Sequence, residues 1–199
     1  LSRAYPRVRS GAHELEVYWA LGQKLLGTDE AVPPALHWQT SARHEAQARE
    51  LMQGHELHEG FIMICPFAGG TFEGLDKRWP AFAEFAREWL PTLGRQVVIC
   101  PGPGEEAEAA RDYGAAVVLP KVGLGALAAL MKKSSLMISN DTGPGHLAAA
   151  VGAPLLSVLG PTEPARWGAW GPTVHTVRCW PEWPQPKAVL EHAQRLIPS

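Results

Sequence analysis

"SLMISNDTGPGHLAAAVGAPLLSVLG", from Ser135 to Gly160, sets two apolar runs around a turn crowded with polar and helix-starting residues. The runs "SLMIS" (135–139) and "PLLSVLG" (154–160) are continuously apolar, the pattern of strands covered on both faces. Between them Pro144 suits a first helical turn, and Gly152 a helix stop. Strand, turn, helix and strand in succession predict a right-handed crossover between parallel strands. Asn140, Asp141, Thr142 and Gly143 then occupy the strand-to-helix turn. Backbone amides at the positive end of a helix dipole make an anion site there. Asp141 is itself negative and repels phosphate, so a division of labour is expected. Thr142 and the amides take phosphate oxygens, while Asp141 takes sugar hydroxyls or a developing positive charge. His146, one turn in, is placed to donate to a phosphate or to orient Asp141. The plainer alternatives are a simple helix cap for Asp141 or Thr142 and a satisfied core histidine for His146.

Working outward, the same rhythm recurs upstream. "FIMIC" (61–65), "QVVIC" (96–100) and "AVVL" (116–119) read as strands. "PAFAEFAREWL" (80–90), "EEAEAARDYG" (105–114) and "LGALAALMKKS" (124–134) have the apolar spacing of helices lying on a sheet. The expected fold is α/β, a Rossmann-like parallel sheet with flanking helices. Residues 59–199 form that domain, and "PQPKAVLEHAQRLIPS" closes it with a last helix. Residues 1–58 differ. "AHELEVYWALGQKLLG" (12–27) is helical with Tyr18, Leu21 and Leu25 on one side, and "SARHEAQARELMQG" (41–54) is helical with Ser41 as its cap. "TDEAVPPALHWQT" between them is loop-like, so 1–58 reads as a linker and helical lead-in.

In such a sheet the loops leaving the carboxyl ends of strands form the ligand crevice. "PFAGGTFEGLDKRWP" (66–80) offers glycines, Thr71 and a mobile Lys77, a combination able to approach and neutralise an anion. It is no Walker A loop, and a long loop with a surface lysine is the plainer alternative. "PGPGEE" (101–106) puts Glu105 just past a glycine turn, where it can accept from ribose hydroxyls. An acidic first turn is also ordinary helix-dipole chemistry. After the last core strand, "GPTEPARWGAWGP" (160–172) carries two tryptophans suited to a pocket wall or to surface packing.

Composition narrows the function classes. The 199 residues, 46% hydrophobic, support a substantial core. A formal net charge of −2 gives no nucleic-acid footprint and no polybasic membrane patch. Cys65, Cys100 and Cys179 are odd in number and far apart, so neither a zinc site nor a disulfide framework is suggested and a reducing cytoplasm fits. No apolar run reaches the roughly 18 residues of a membrane helix. No signal peptide is evident, and Leu1 in place of Met reads as a fragment or a cleaved product.

Taken together, "SNDTGPGHLAAAVGAPLLSVLGPTEPARWG" resembles the signature of the family 9 glycosyltransferases, the heptosyltransferase-like enzymes. "PFAGG…DKRWP" resembles that family's glycine-rich loop with Lys-x-Trp-Pro, and "VVICPGPGEE" its strand-plus-GxxE segment. "HELEVYWALGQKLLG" resembles the helix just after the interdomain hinge, so the resemblance covers nearly the whole chain. The resemblance implies one half of a type-B glycosyltransferase fold, the carboxy-terminal half that binds a nucleotide-diphosphate sugar, typically ADP-heptose. Lys77 and Asp141 are then the candidate catalytic pair, Lys77 on the diphosphate and Asp141 on the transferred sugar. Thr142 and Gly143 would hold phosphate, with Thr71 and His146 also lining the site. Glu105 would hold ribose, and the backbone around Val122, in "LPKVGLG", would face the nucleobase. Inverting transfer follows, with no metal expected because no Asp-x-Asp motif is present. The resemblance further implies lipopolysaccharide or related glycan synthesis in the cytoplasm, peripheral at the inner face of the bacterial inner membrane. The lipid-linked or glycan acceptor and the general base would belong to an amino-terminal half that this chain lacks. Alternatives of other classes are a non-catalytic nucleotide-sugar-binding module and an enzyme like a nucleotide-sugar epimerase.

Overall fold

The computed structural model describes residues 11–119 and 121–197. The first ten residues of the lead-in, Pro120 and the last two residues of the tail lie outside the described residues.

Six parallel strands form the central sheet. They are β1 (Ile62–Cys65), β4 (Val97–Ile99), β5 (Val117–Val118), β6 (Leu136–Ser139), β7 (Leu155–Leu159) and β8 (Val174–Arg178), in the order β5-β4-β1-β6-β7-β8. A small antiparallel hairpin, β2 (Thr71–Phe72) with β3 (Leu75–Asp76), stands apart from it. Counted within the main sheet, the order is the doubly wound 3-2-1-4-5-6. The chain builds outward from β1 to β4 and β5, then returns to add β6, β7 and β8 on the other side. The reversal falls between β1 and β6, the position at which open sheets of this order form their ligand crevice.

Period-two alternation divides the core. Ile62, Ile64, Ile99, Ile138, Leu156 and Val158 face one layer with Phe82, Phe85 and Leu90. That layer holds the helical segment α3 (Phe82–Glu84), continued by a π turn (Phe85–Trp89) and a 3-10 turn (Leu90–Leu93). Pro91 and the left-handed Gly94 end it. Helices α4 (Glu106–Asp112) and α8 (Pro186–Leu196) lie on the same side through Ala109, Val189 and Ala193. Met63, Cys65, Val98, Met137 and Leu155 face the opposite layer. There α5 (Leu124–Met131) and α6 (Gly143–Ala150) cover the sheet.

Helix α5 is apolar all round, and Ala126 to Met131 are all buried. Such a helix needs cover on its outer side as well. The cover comes from α2 (Ala42–Gly54), whose Ala48 and Met52 join the same core. The two helices approach closely because Gly125 has no side chain. A Cβ there would sit 2.3 Å from the His44 ring.

Helix α1 (Glu14–Leu26) behaves differently. His13 closes it with a capping box and Gly27 ends it in the left-handed conformation, yet it buries no residue. Tyr18, Leu21 and Leu25, the face expected to pack, are exposed. The lead-in is moored by polar contacts instead. Trp170 Nε1 donates to the Pro33 carbonyl at 2.8 Å, His13 packs on Trp170 with ring centroids 4.9 Å apart, and Arg166 pairs with Glu14 at 2.9 Å.

Strand β8 and the β2–β3 hairpin are additions to the sequence reading. "VHTVR" lies at the sheet edge with the consecutive His175 and Thr176 both exposed, so it lacks the continuous apolar run of the central strands. The remaining short helix is α7 (Pro164–Trp167). Among the described residues, no helix is long and apolar enough to cross a membrane.

Candidate functional site

The crevice between β1 and β6 is lined by groups from three loops. Lys77 follows the hairpin after β1, Asp141 follows β6, and Thr162 follows β7. Lys77 Nζ lies 3.4 Å from Asp141 Oδ2, and Thr162 Oγ1 donates to the same oxygen at 2.9 Å. His146 Nε2 stands 3.4 Å from Asp141 Oδ1. One carboxylate therefore gathers a lysine, a hydroxyl and an imidazole at the carboxyl ends of adjacent strands.

Local structure fixes each group. Asn140, 1% exposed, ends β6 and braces the loop after β1. Its Nδ2 donates to the Pro66 carbonyl at 2.5 Å, and its Oδ1 accepts the Trp79 amide at 3.0 Å. The Trp79 indole is buried and donates to the Pro184 carbonyl at 3.0 Å. Lys77, two residues before Trp79, is thus delivered to Asp141 from a loop pinned at both ends. Its side chain is only 17% exposed, so it is a held charge rather than the mobile one expected. Gly145 lets the turn sit closely, since a Cβ there would make a tight 3.2 Å contact with Ser139 Oγ.

Thr142 occupies the N-cap of α6 with extended backbone, but no side chain caps that end. Pro144 has no N–H, and the Gly145 and His146 amides donate to the Thr142 carbonyl at 3.0 and 3.4 Å, so the Thr142 and Gly143 amides are the ones that can meet an outside acceptor, which favours an anion site over a simple cap. Gly143 is exposed there and Thr142 is partly so. His146 is exposed along nearly half its side chain, so the core-histidine alternative does not hold.

Burial pushes the Asp141 carboxyl up, but hydrogen bonds from His146 and Thr162, with the charges of Lys77 and His146, outweigh it and hold the group below its usual range. A depressed folded value contributes stability above the unfolded carboxylate range, near pH 4, and that contribution fades as pH falls through the folded value. We expect wild type to lose stability relative to Asp141→Asn as pH drops below about 4. Urea midpoints of both proteins at pH 7 and pH 3 check this; parallel pH dependence would count against the network.

Glu105 lies at the same edge, just before α4. Its carboxylate accepts the Gly102 amide at 2.7 Å, closing the glycine turn after β4. It is near enough to add to the effect of burial on Cys65, whose thiol is pushed up to about 12. Cys100 is likewise raised to about 12, by burial and then by Cys65. Both thiols therefore stay protonated beneath the crevice. Val122 follows β5 and packs partly buried against the core beneath α2. Thr71 is exposed on the hairpin and pairs through the backbone with Asp76, the residue before Lys77.

The positions follow the strand order. Val122, Glu105, Lys77, Asp141 and Thr162 leave β5, β4, β1, β6 and β7 respectively. At about 4.8 Å between neighbouring strands, these five strand ends span roughly 19 Å. Sequence reasoning missed Thr162, although "GPTEP" was in view, and the bracing role of Asn140. Both depend on contacts between loops far apart in the chain. Among the described residues, no three His, Cys, Asp or Glu side chains gather as a metal site.

The model of glycosyltransferase family 9 (heptosyltransferase) matches residues 1–196. Lipopolysaccharide heptosyltransferase 1 of Pseudomonas aeruginosa is 37% identical over 100 residues, 48% of this chain and 28% of that protein. Lipopolysaccharide heptosyltransferase 3 of Escherichia coli is 28% identical over 155 residues, 73% of this chain and 44% of that protein. The chain thus spans less than half the length of either relative. Two solved structures share the fold. A family 9 glycosyl transferase from Veillonella parvula superposes with a TM-score of 0.80 at 23% identity, over 96% of this chain and 62% of that one. An E. coli heptosyltransferase solved with ADP gives 0.73 at 24%, over 98% of this chain and 60% of that one.

Proposed function

The chain belongs to glycosyltransferase family 9, and from that premise we propose that it is the donor-binding half of an inverting glycosyltransferase. Its donor is a nucleotide-diphosphate sugar of the ADP-heptose kind, used in lipopolysaccharide or related glycan synthesis at the cytoplasmic face of the inner membrane. The observation that carries this reading is the Lys77–Asp141 contact at the strand-order reversal, beside the uncapped start of α6. One E. coli heptosyltransferase supports the choice of donor, solved once with ADP and once with ADP-2-deoxy-2-fluoro heptose.

The donor lies along the strand ends in their spatial order. The nucleobase meets the backbone near Val122, and the ribose hydroxyls meet Glu105. The diphosphate meets Lys77 and the amides of Thr142 and Gly143. The transferred sugar meets Asp141, with Thr162 and His146 orienting that carboxylate; Thr71 borders the site from the hairpin. In the reaction the acceptor oxygen bonds to the anomeric carbon from the face opposite the diphosphate. The carbon–phosphate-oxygen bond breaks, and its electron pair leaves with the nucleoside diphosphate. Negative charge grows on that leaving group, where a fixed ammonium and helix amides stabilise it. Positive charge grows at the anomeric carbon, where ionised Asp141 is complementary. In this proposal the acceptor's proton goes to a base on an amino-terminal half, where the acceptor chiefly binds.

Calorimetry of this chain with ADP and with ADP-heptose tests the reading. One-to-one binding of both is expected. No binding of either by the folded protein would remove the donor site.

A further inference from the structure

A second feature joins the two segments that carry Lys77 and Thr162. Phe72, on β2, and Trp167, on α7, meet edge to face with ring centroids 6.3 Å apart. Phe72 stands five residues before Lys77 and Trp167 five residues after Thr162. Lys77 and Thr162 both touch Asp141. The aromatic contact therefore closes a ring around the charged cluster: down the hairpin to Lys77, across Asp141 to Thr162, along α7 to Trp167, and back to Phe72.

Both aromatics are held rather than loose. The hairpin turns on Glu73 and Gly74 at φ 51° and 81°, the two-residue left-handed turn that matches strand twist. Trp167 is fixed by its own amide to the Glu163 carbonyl at 2.9 Å. The Arg166 guanidinium sits 4.8 Å from the Trp167 ring centroid, and Glu14 pins it at 3.0 and 2.9 Å. Despite these contacts, 38% of Trp167 stays exposed, and Leu75 on the same hairpin is also open. An indole held by these contacts yet partly open, on the short helix that follows the threonine bonded to Asp141, is an unusual use of a large apolar group. A sugar ring has the matching chemistry. Its hydroxyls bond to charged groups, while its slightly positive C–H face packs on the negative face of an aromatic ring.

We propose that Trp167, backed by Phe72, is the wall against which the C–H face of the donor's transferred sugar packs, and so a determinant of which sugar is accepted. This rests on the donor reading above, in which Asp141 takes the hydroxyl side of that sugar.

Calorimetry with ADP and ADP-heptose separates the two claims. For Trp167→Ala the ratio of the ADP-heptose Kd to the ADP Kd should rise roughly three- to tenfold over wild type, the range of a lost aromatic contact. The ADP Kd itself should hold, which also shows that the variant folds. Trp167→Phe, keeping a ring, should keep most of the wild-type ratio. An unchanged ratio in Trp167→Ala, whether both ligands weaken together or neither does, overturns the wall while leaving the donor site standing. Failure of wild type to bind ADP removes the donor reading, and this inference with it.

Discussion

Replacing Lys77 by alanine is expected to weaken ADP binding roughly 10- to 150-fold, the loss of about 1.5–3 kcal/mol that goes with a charged hydrogen bond. The geometry makes the lysine hard to replace. It is delivered to Asp141 from a loop pinned by Asn140 and Trp79. Arg78, the adjacent cation, is turned away and paired with Glu108 at 3.0 Å. Stability should change little, because the Lys77–Asp141 separation of 3.4 Å is long for an ion pair and Asp141 keeps Thr162 and His146. Asp141→Asn supplies the contrast. It removes a negative charge next to the expected diphosphate, so ADP affinity should hold or improve even as the sugar loses its partner. Titrations of the two variants decide the matter. ADP affinity unchanged in Lys77→Ala would take Lys77 out of the site, and equal losses in both variants would mean that the crevice had merely been disturbed.

The strands legible in the sequence were those buried on both faces. "FIMIC" and "SLMIS" could be read because a central parallel strand needs apolar residues at every position, and no surface segment needs that. Strand β8 failed the same test for the opposite reason: at the edge, His175 and Thr176 face outward, and neither a run nor a clean alternation survives. The hairpin before Lys77 was hidden because its strands are two residues each, too short to show a period. Site residues divided along similar lines. Asp141, Thr142 and Gly143 announced themselves through strand-to-helix punctuation, a local signal, and Lys77 through its glycine-rich loop. Thr162 carries no such mark. Its buried hydroxyl has meaning only once Asp141 lies 2.9 Å away, and that proximity is a product of β6 and β7 pairing. Tyr18, Leu21 and Leu25 mark the limit of periodicity. The pattern correctly gave a helix with one apolar face, but it could not tell what, if anything, would cover that face.

The largest effect on stability is expected at Asn140, which touches no proposed ligand. Its amide satisfies two buried backbone groups at once, the Pro66 carbonyl and the Trp79 amide. In Asn140→Ala both lose their partner in a place water does not reach. At about 1–3 kcal/mol for each buried group left unsatisfied, the variant should lose roughly 2–6 kcal/mol. For a chain of this size that corresponds to a fall in Tm of roughly 4–24 °C. Asn140→Asp should not rescue it. One carboxylate oxygen can still accept from Trp79, but the other faces the Pro66 carbonyl with no proton to offer, and a buried charge is created beside Asp141. The consequence for the site follows from connectivity. Once Trp79 is released, Lys77, two residues away, is no longer aimed at Asp141. ADP affinity should therefore drop in Asn140→Ala even at temperatures where the protein remains folded. A variant that melts within a degree of wild type would show that the amide brace contributes nothing. A variant that melts early yet binds ADP at full strength would show that Lys77 finds its place without it.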